Sequence, residues 1–231
     1  MTAELISHAD NGVSMHKTVD IEMEHDVLHE NHKIAHENSH LLEDHNIVSI
    51  DFMGSIGSGK TALIIKLSEK LRAKGKKITA IAGDVTGSDD FTRMMNAGVS
   101  AVNCNTGHEC HLDAMMIRKI LKRTDLSQTD VLFVENVGNL VCPADFPLGT
   151  DKRVVVISVT EGDDMVRKHP DIFHKADLAI LNKVDIAEHV DVDTKVILED
   201  YRKLTGGNKK MIECSVKKGF GIDEIIKELG L

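Results

Sequence analysis

Tryptophan is absent, tyrosine occurs once and proline three times in 231 residues. No apolar run approaches the ~18 residues of a membrane-spanning helix. The N-terminus has no signal-peptide pattern. Cysteine is sparse: Cys104, Cys110, Cys142 and Cys214 are widely spaced. They read as thiols or metal ligands rather than a disulfide framework. Positive charge is short as well, with 28 Lys and Arg against 37 Asp and Glu, a net −9. That balance argues against nucleic acid or an anionic membrane as the main partner. Together these absences predict a cytoplasmic protein. Hydrophobic residues make up 42%. The length suits one α/β domain with a sizeable core and a short appendage.

Histidine is in surplus. There are 13, and seven fall between His16 and His45. Residues 1–14 show no clear period and read as a leader or a frayed tail. From Ile21 to Leu42 the pattern is helical. Ile21, Leu28, Ala35 and Leu42 recur every seven residues, with Val27, Ile34 and Leu41 in a second row. "HEN" at 29–31 returns at 36–38. An amphipathic helix is predicted whose apolar stripe buries against the main domain or a partner. His25, His29, His32, His36 and His40 fall on a different face. Two readings stand: a solvated polar face among Glu22, Glu24, Glu30 and Glu37, or a weak or storage metal site.

At Asn46 the character changes, which divides the chain into an extension over 1–46 and a main domain over 47–231. "NIVSIDFMGSIGSGKTALIIKLSEKLRAKG" reads as strand, glycine-rich loop and helix. Gly54 to Thr61 match G-x-x-x-x-G-K-[ST] without deviation. Gly54, Gly57, Ser58, Gly59, Lys60, Thr61 and Ala62 are therefore candidate phosphate-binding residues. Glycines let backbone N–H groups curl round phosphate oxygens at a helix N-terminus, where the helix adds its positive end. Lys60 is positioned for the β- and γ-phosphates, and the Thr61 hydroxyl for Mg²⁺. In "LAILNKVDIA" a buried strand delivers Asn182, Lys183 and Asp185. An Asp carboxylate there accepts guanine N1–H and N2–H₂, whereas adenine offers no such donor pair. The nucleotide is predicted to be GTP. Ser215, Val216 and Lys217 resemble the Ser-Ala-Lys loop that closes over the base in GTPases.

Two more strands end in acids. "KKITAIAGDVTGSDD" delivers Asp84, and "DVLFVENVGNL" delivers Glu135 followed by Gly138. Glu135 and Asp84 are candidate Mg²⁺-side groups and, with Lys60, candidate catalytic residues. The competing reading for Asp84 is a strand-end turn. Gly138 is placed to give its N–H to a γ-phosphate. Asn139 stands where Ras-like enzymes carry a water-orienting glutamine, so slow intrinsic hydrolysis is predicted. "TGHECHLDAMMIRK" sets His108, Glu109, Cys110 and His111 before an amphipathic helix. By itself that cluster reads equally as a metal site or a polar helix start.

The ordered set of phosphate loop, "GDVTGSDD", "TGHECHLDA", "ENVGNLVCPA" and "NKVD" resembles the nickel-incorporation GTPases of hydrogenase maturation, the HypB family. The resemblance covers about 47–231. It implies a SIMIBI-class P-loop α/β fold with a mostly parallel sheet flanked by helices. It also implies a homodimer in the GTP-bound state and zinc or nickel on Cys110, His111 and Cys142. Thiolate and imidazole suit both ions. His108 and Glu109 are further ligand or supporting candidates, with a helix-start role preferred for His108. An accessory maturation protein and, indirectly, the hydrogenase large subunit are the implied partners. No cysteine precedes Cys104, so the N-terminal cysteine-rich nickel motif of some members is absent. Cys142 follows Glu135 by seven residues, which suggests that nucleotide state moves a metal ligand. Cys104, Cys214, His169 and His174 are expected to be ordinary thiols and surface residues, and Arg167 with Lys168 a solvated basic pair. Three rivals are weighed. A urease-accessory GTPase would join Cys-Pro-His in one tripeptide. A metal-storage protein would work through the histidine helix. A small-molecule P-loop kinase would not need Asn182, Lys183 and Asp185.

Overall fold

Strands buried on both faces read as near-continuous apolar runs. "VLFVE" and "LAILN" are such runs, and every residue in them is buried. A computed structural model of the protein describes residues 12–231, with side chains described from Asp26 onward. Seven strands form one sheet: β1 Val48–Met53, β2 Ile78–Asp84, β3 Ser100–Asn105, β4 Val131–Glu135, β5 Lys152–Ser158, β6 Leu178–Asn182 and β7 Lys210–Glu213. Their order is β3-β2-β4-β1-β5-β6-β7, and every neighbouring pair is parallel.

Helices cover both faces. They are α1 Gly12–Asp44, α2 Lys60–Ala73, α3 Asp89–Asn96, α4 Ala114–Leu121, α5 Met165–Lys168, α6 Pro170–Lys175, α7 Thr194–Thr205 and α8 Ile222–Leu229. On one face, Leu63, Ile64 and Leu67 of α2 and Ile225 and Leu229 of α8 pack on Ile50, Phe52, Phe133, Val154 and Ile180. On the other, Ile172 and Phe173 of α6 and Ile197 and Tyr201 of α7 meet Met53, Val155, Ile157 and Leu181. Because all strands are parallel, one edge collects all their carboxyl ends, where ligands bind in open α/β sheets. The phosphate loop leaves β1 there, and Asp84, Glu135, Asn182 and Ser215 reach the same edge.

The N-terminal helix is longer than the predicted Ile21–Leu42 segment. It docks by the predicted stripe except at Val27, and two asparagines join that stripe. Ile34, Ala35 and Leu42 are buried, but Val27 is 57% exposed, and Leu28 and Leu41 are half-buried. The buried positions between them are asparagines. Asn31 donates to Pro147 O (2.9 Å) and accepts from Ala114 N (2.8 Å). Asn38 donates to Ala114 O (2.8 Å) and Leu148 O (3.0 Å). The repeated "HEN" thus holds a docking asparagine once every two turns. It satisfies the N-terminus of α4 and the 147–148 carbonyls, which would otherwise lose their water partners. His29, His32, His36 and His40 lie exposed. The side chains of Ile21 and His25, and residues 1–11, lie outside the described part.

Candidate functional site

The phosphate loop wraps its own carbonyls round Lys60. Its Nζ donates to Gly54 O and Ser55 O, both at 3.1 Å. Burial pushes Lys60 below its ordinary value, while Glu135 and Asp90 favour its charged form. Gly59 has φ +102°, and a Cβ there would stand 2.3 Å from Asn182 Nδ2, so neither the backbone nor the space admits a side chain. Lys60, Thr61, Asp84, Glu135 and Gly138 line one 590 Å³ cleft.

Thr61 Oγ1 lies 2.7 Å from Asp90 Oδ1 and 2.9 Å from Glu135 Oε1. One hydroxyl hydrogen serves only one carboxylate at a time. Burial pushes Glu135 up to about 7, with Asp90 adding to the rise and Lys60 opposing it. Glu135 Oε2 is buried with no hydrogen-bond partner. A paired acid set with an orphaned buried oxygen fits a hard cation, which takes oxygen ligands and favours the ionised form. Asp84 lines the same cleft, but its Oδ1 accepts the Val85 N–H at 2.6 Å. Asp90 carries no motif of its own in the sequence. Its only signal was a second acid in the first turn of α3 in "GSDD".

An adjoining pocket of 290 Å³ is lined by Gly59, Ala62, Asn182, Lys183, Asp185, Ser215, Val216 and Lys217. The residues expected to hold the base are thus assembled next to the phosphate cleft. Asn182 Nδ2 donates to Ser58 O (2.9 Å), while its Oδ1 accepts from Val216 N (3.3 Å). It ties the phosphate loop to the 215–217 loop. Lys183 Nζ donates to Gly57 O at 2.8 Å.

About the loop between β4 and β5, three soft donors converge. Cys110 Sγ is 2.8 Å from Cys142 Sγ and 3.9 Å from His111 Nδ1. All three donor atoms lie within 4.8 Å of one another, the one such cluster among the described residues. Cys110 is exposed and Cys142 half-buried. His111 is 9% exposed and stacks on Phe146 with centroids 3.8 Å apart. Burial lowers the His111 pKa against the pull of Glu109 and Asp113, a direction that favours the neutral, ligating imidazole. The hydrogen bond with Cys142 raises the Cys110 thiol. Two thiols and an imidazole at this spacing fit zinc or nickel. His108 and Glu109 are exposed and fall outside the cluster. Cys104 and Cys214 are buried. Arg167 pairs with Asp163 and Asp200, and Lys168 with Asp164, so both cations are engaged within their own chain.

A buried polar frame supports this cluster. Asp51, fully buried in β1, accepts from Asn136 Nδ2 at 3.2 Å and lies 3.9 Å from Arg153 Nε. Asn136 Oδ1 accepts the Leu112 N–H at 3.1 Å, next to His111. Arg153 donates to Pro143 O and to Ala144 O, next to Cys142. Burial pushes Asp51 up to about 6, against Arg153, Asn136 and Lys60, which favour its ionised form. The folded state therefore holds a proton here that the unfolded chain, at 3.8, releases. The stabilising contribution is present at acid pH and is lost as pH rises from about 4 through about 6, a change of roughly 3 kcal/mol. Thermal denaturation of Asp51→Asn across that window is expected to show a shallower fall of stability with pH than the parent. An unchanged slope contradicts the assignment.

The nucleotide-binding domain model described as CobW/HypB/UreG matches residues 48–212. Over 213 residues the chain is 46% identical to the probable hydrogenase maturation factor HypB of Methanocaldococcus jannaschii, covering 92% of this chain and 96% of that one. The crystal structure of hydrogenase maturation factor HypB from Archaeoglobus fulgidus superposes with a TM-score of 0.80 at 45% identity, covering 87% of this chain and 97% of that one. That of HypB from Helicobacter pylori in complex with nickel gives 0.80 at 34% identity, with 87% and 93% covered.

Proposed function

The chain belongs to the HypB hydrogenase maturation factors, within the CobW/HypB/UreG nucleotide-binding family, and on that footing we propose that it is a GTP-driven nickel metallochaperone. It hydrolyses GTP to GDP and phosphate, and the nucleotide cycle governs when nickel is held on Cys110, His111 and Cys142 and when it is passed on. One observation carries the reading. The loop leaving Glu135 passes the phosphate loop at Gly138 and reaches Cys142 within seven residues, and the Cys142 thiol sits 2.8 Å from that of Cys110. A γ-phosphate that reorders the loop therefore acts directly on a metal ligand.

The roles follow from the groups at hand. Lys60 neutralises the β- and γ-phosphates, and the Gly138 N–H holds the γ-phosphate. Asn182, Lys183, Asp185 and the 215–217 loop hold guanine. Mg²⁺ would be held by Thr61 with Glu135, Asp84 and Asp90, and would offset phosphate charge. With Asn139 in place of a water-orienting glutamine, intrinsic hydrolysis is slow. Ile56 on the phosphate loop is 86% exposed and Val141 beside Cys142 is 58% exposed. Apolar side chains so placed support a homodimer closing over GTP, with the metal site at the seam. Three ligands leave a position through which zinc or nickel enters and leaves. The recipients are another accessory protein and, indirectly, the hydrogenase large subunit. Residues 1–46 form an extension and 47–231 the GTPase domain. Among the described residues no helix is long and apolar enough to cross a membrane, and a cytoplasmic site of action fits the reading.

Titrating metal-free protein with nickel, once with GDP and once with a non-hydrolysable GTP analogue, is expected to give different affinities. Equal affinities contradict the coupling. A storage reading draws support from the exposed His29, His32, His36 and His40, with the His36 and His40 rings 4.3 Å apart. Nickel stoichiometry well above two per chain, lost on removing residues 1–46, favours that reading instead.

A further inference from the structure

The cleft and the thiols need a physical connection, and one residue touches both through its backbone on one side and its side chain on the other. The Asn139 N–H donates to Gly54 O at 3.0 Å, forming an antiparallel bridge between the switch loop and the first residue of the phosphate loop. That carbonyl also accepts from Lys60 Nζ. The side-chain amide of Asn139 faces the other way. Its Nδ2 donates to Cys110 O at 3.2 Å, and its Oδ1 accepts the Val141 N–H at 2.9 Å. One amide thus bonds the backbone at Cys110 and the backbone next to Cys142.

The outer flanks of the thiols are held differently. Leu112 N rests on Asn136, and the Pro143 and Ala144 carbonyls rest on Arg153. Both of those side chains belong to the buried frame on Asp51. The inner flanks, where the thiols face each other, are tied through Asn139. Cys110 and Val141 themselves are both exposed. Gly138 is pressed against the phosphate loop as well, since a Cβ there would lie 2.3 Å from Ile56 Cγ1. A shift of the phosphate loop therefore moves Asn139, and Asn139 moves the two thiols relative to the outer flanks held by the buried frame.

We propose that Asn139 is the positioning residue that transmits nucleotide state to the metal ligands, through its backbone bond to Gly54 and its amide bonds to Cys110 and Val141. The inference rests on the coupling of nucleotide and nickel proposed above. It assigns that coupling to a single amide, which must donate to one ligand arm and accept from the other. An aspartate keeps the acceptor and loses the donor, and an alanine loses both.

The test uses the full-length, metal-free chain. Nickel affinity is measured with GDP and with a non-hydrolysable GTP analogue for the parent, Asn139→Asp and Asn139→Ala. The thiolate-to-nickel charge-transfer band and the affinity for each nucleotide are followed alongside. The parent is expected to show an affinity ratio within the range of about 5–150-fold that coupled sites display. In both variants the ratio collapses towards one, while the charge-transfer band persists and both nucleotides still bind. A variant that keeps the parental ratio overturns the role of Asn139 and leaves the coupling standing. Loss of the charge-transfer band in both variants shows that Asn139 only holds the site together, and also overturns it. A ratio of one in the parent removes the coupling itself and this inference with it.

Discussion

Asp185→Asn is expected to lower GTP affinity by roughly 10² to 10⁴-fold, the equivalent of two charge-assisted hydrogen bonds worth about 1.5–3 kcal/mol each. The Asp185 carboxylate lines the base pocket with Asn182, Lys183 and the 215–217 loop. As an acceptor-only group it suits the adjacent N1–H and N2–H₂ donors of guanine. Asparagine presents one acceptor and one donor instead. That pair matches xanthine, in which a carbonyl replaces the exocyclic amine. The variant is therefore expected to prefer xanthosine triphosphate, while the phosphate loop and its Lys60 remain intact. Competition binding with the guanosine, adenosine and xanthosine triphosphates measures this. Retained GTP affinity would show that Asp185 does not read the base. The small-molecule kinase reading would then return.

The second large effect concerns the metal. Cys142→Ala removes one of three clustered donors and leaves Cys110 and His111 as a two-ligand remnant. Losing a group that merely supports a ligand costs about 10–100-fold in metal affinity. Losing the ligand is expected to cost at least the upper end of that range for nickel. Equilibrium titration against a competing chelator reads it, with the thiolate charge-transfer band as an independent signal. The parent's affinity is also expected to rise with pH. The Cys110 thiol is raised by its hydrogen bond to Cys142, and the ion must displace its proton to bind. Lowering the pH keeps that thiol protonated and weakens the site. Nickel affinity unaffected by Cys142→Ala would move the ion to the histidines of α1 and make storage the better account.

The nucleotide motifs were legible because each is contiguous. Glycine spacing, Lys60 and Thr61 occupy eight consecutive positions, and Asn182 to Asp185 occupy four. Backbone geometry over so short a span follows from residue type, and a parallel sheet brings the motifs to one edge. The structure assembles them there as expected. The alternation of apolar runs and loops likewise announced an α/β fold. Where reading was wrong or silent, the partner lay far along the chain. Val27 fits a helical stripe by periodicity, yet it is exposed, because the body touches α1 through Asn31, Ile34, Ala35, Asn38 and Leu42. Those asparagines look like solvent-facing residues until Pro147, Leu148 and Ala114 are placed beside them.

The acids divide in the same way. Glu135 was identifiable as a strand-end carboxylate, and Asp84 as a candidate of the same kind. Asp90 emerges beside the Thr61 hydroxyl only when α3 and α2 are packed together, 29 residues apart in sequence. Asp51 sits inside a buried strand. Its purpose appears once Asn136, just after β4, and Arg153 of β5 reach it. The chain's residues dictate which chemistry is available, because phosphate cradling, guanine recognition and soft-metal ligation each need particular side chains at short spacing. Folding sets how those chemistries are joined. The bonds that link the Cys110 and Cys142 loops to each other and to Gly54 run through one residue, Asn139, and hydrogen bonds between separate loops depend on distance in space, which linear spacing does not encode.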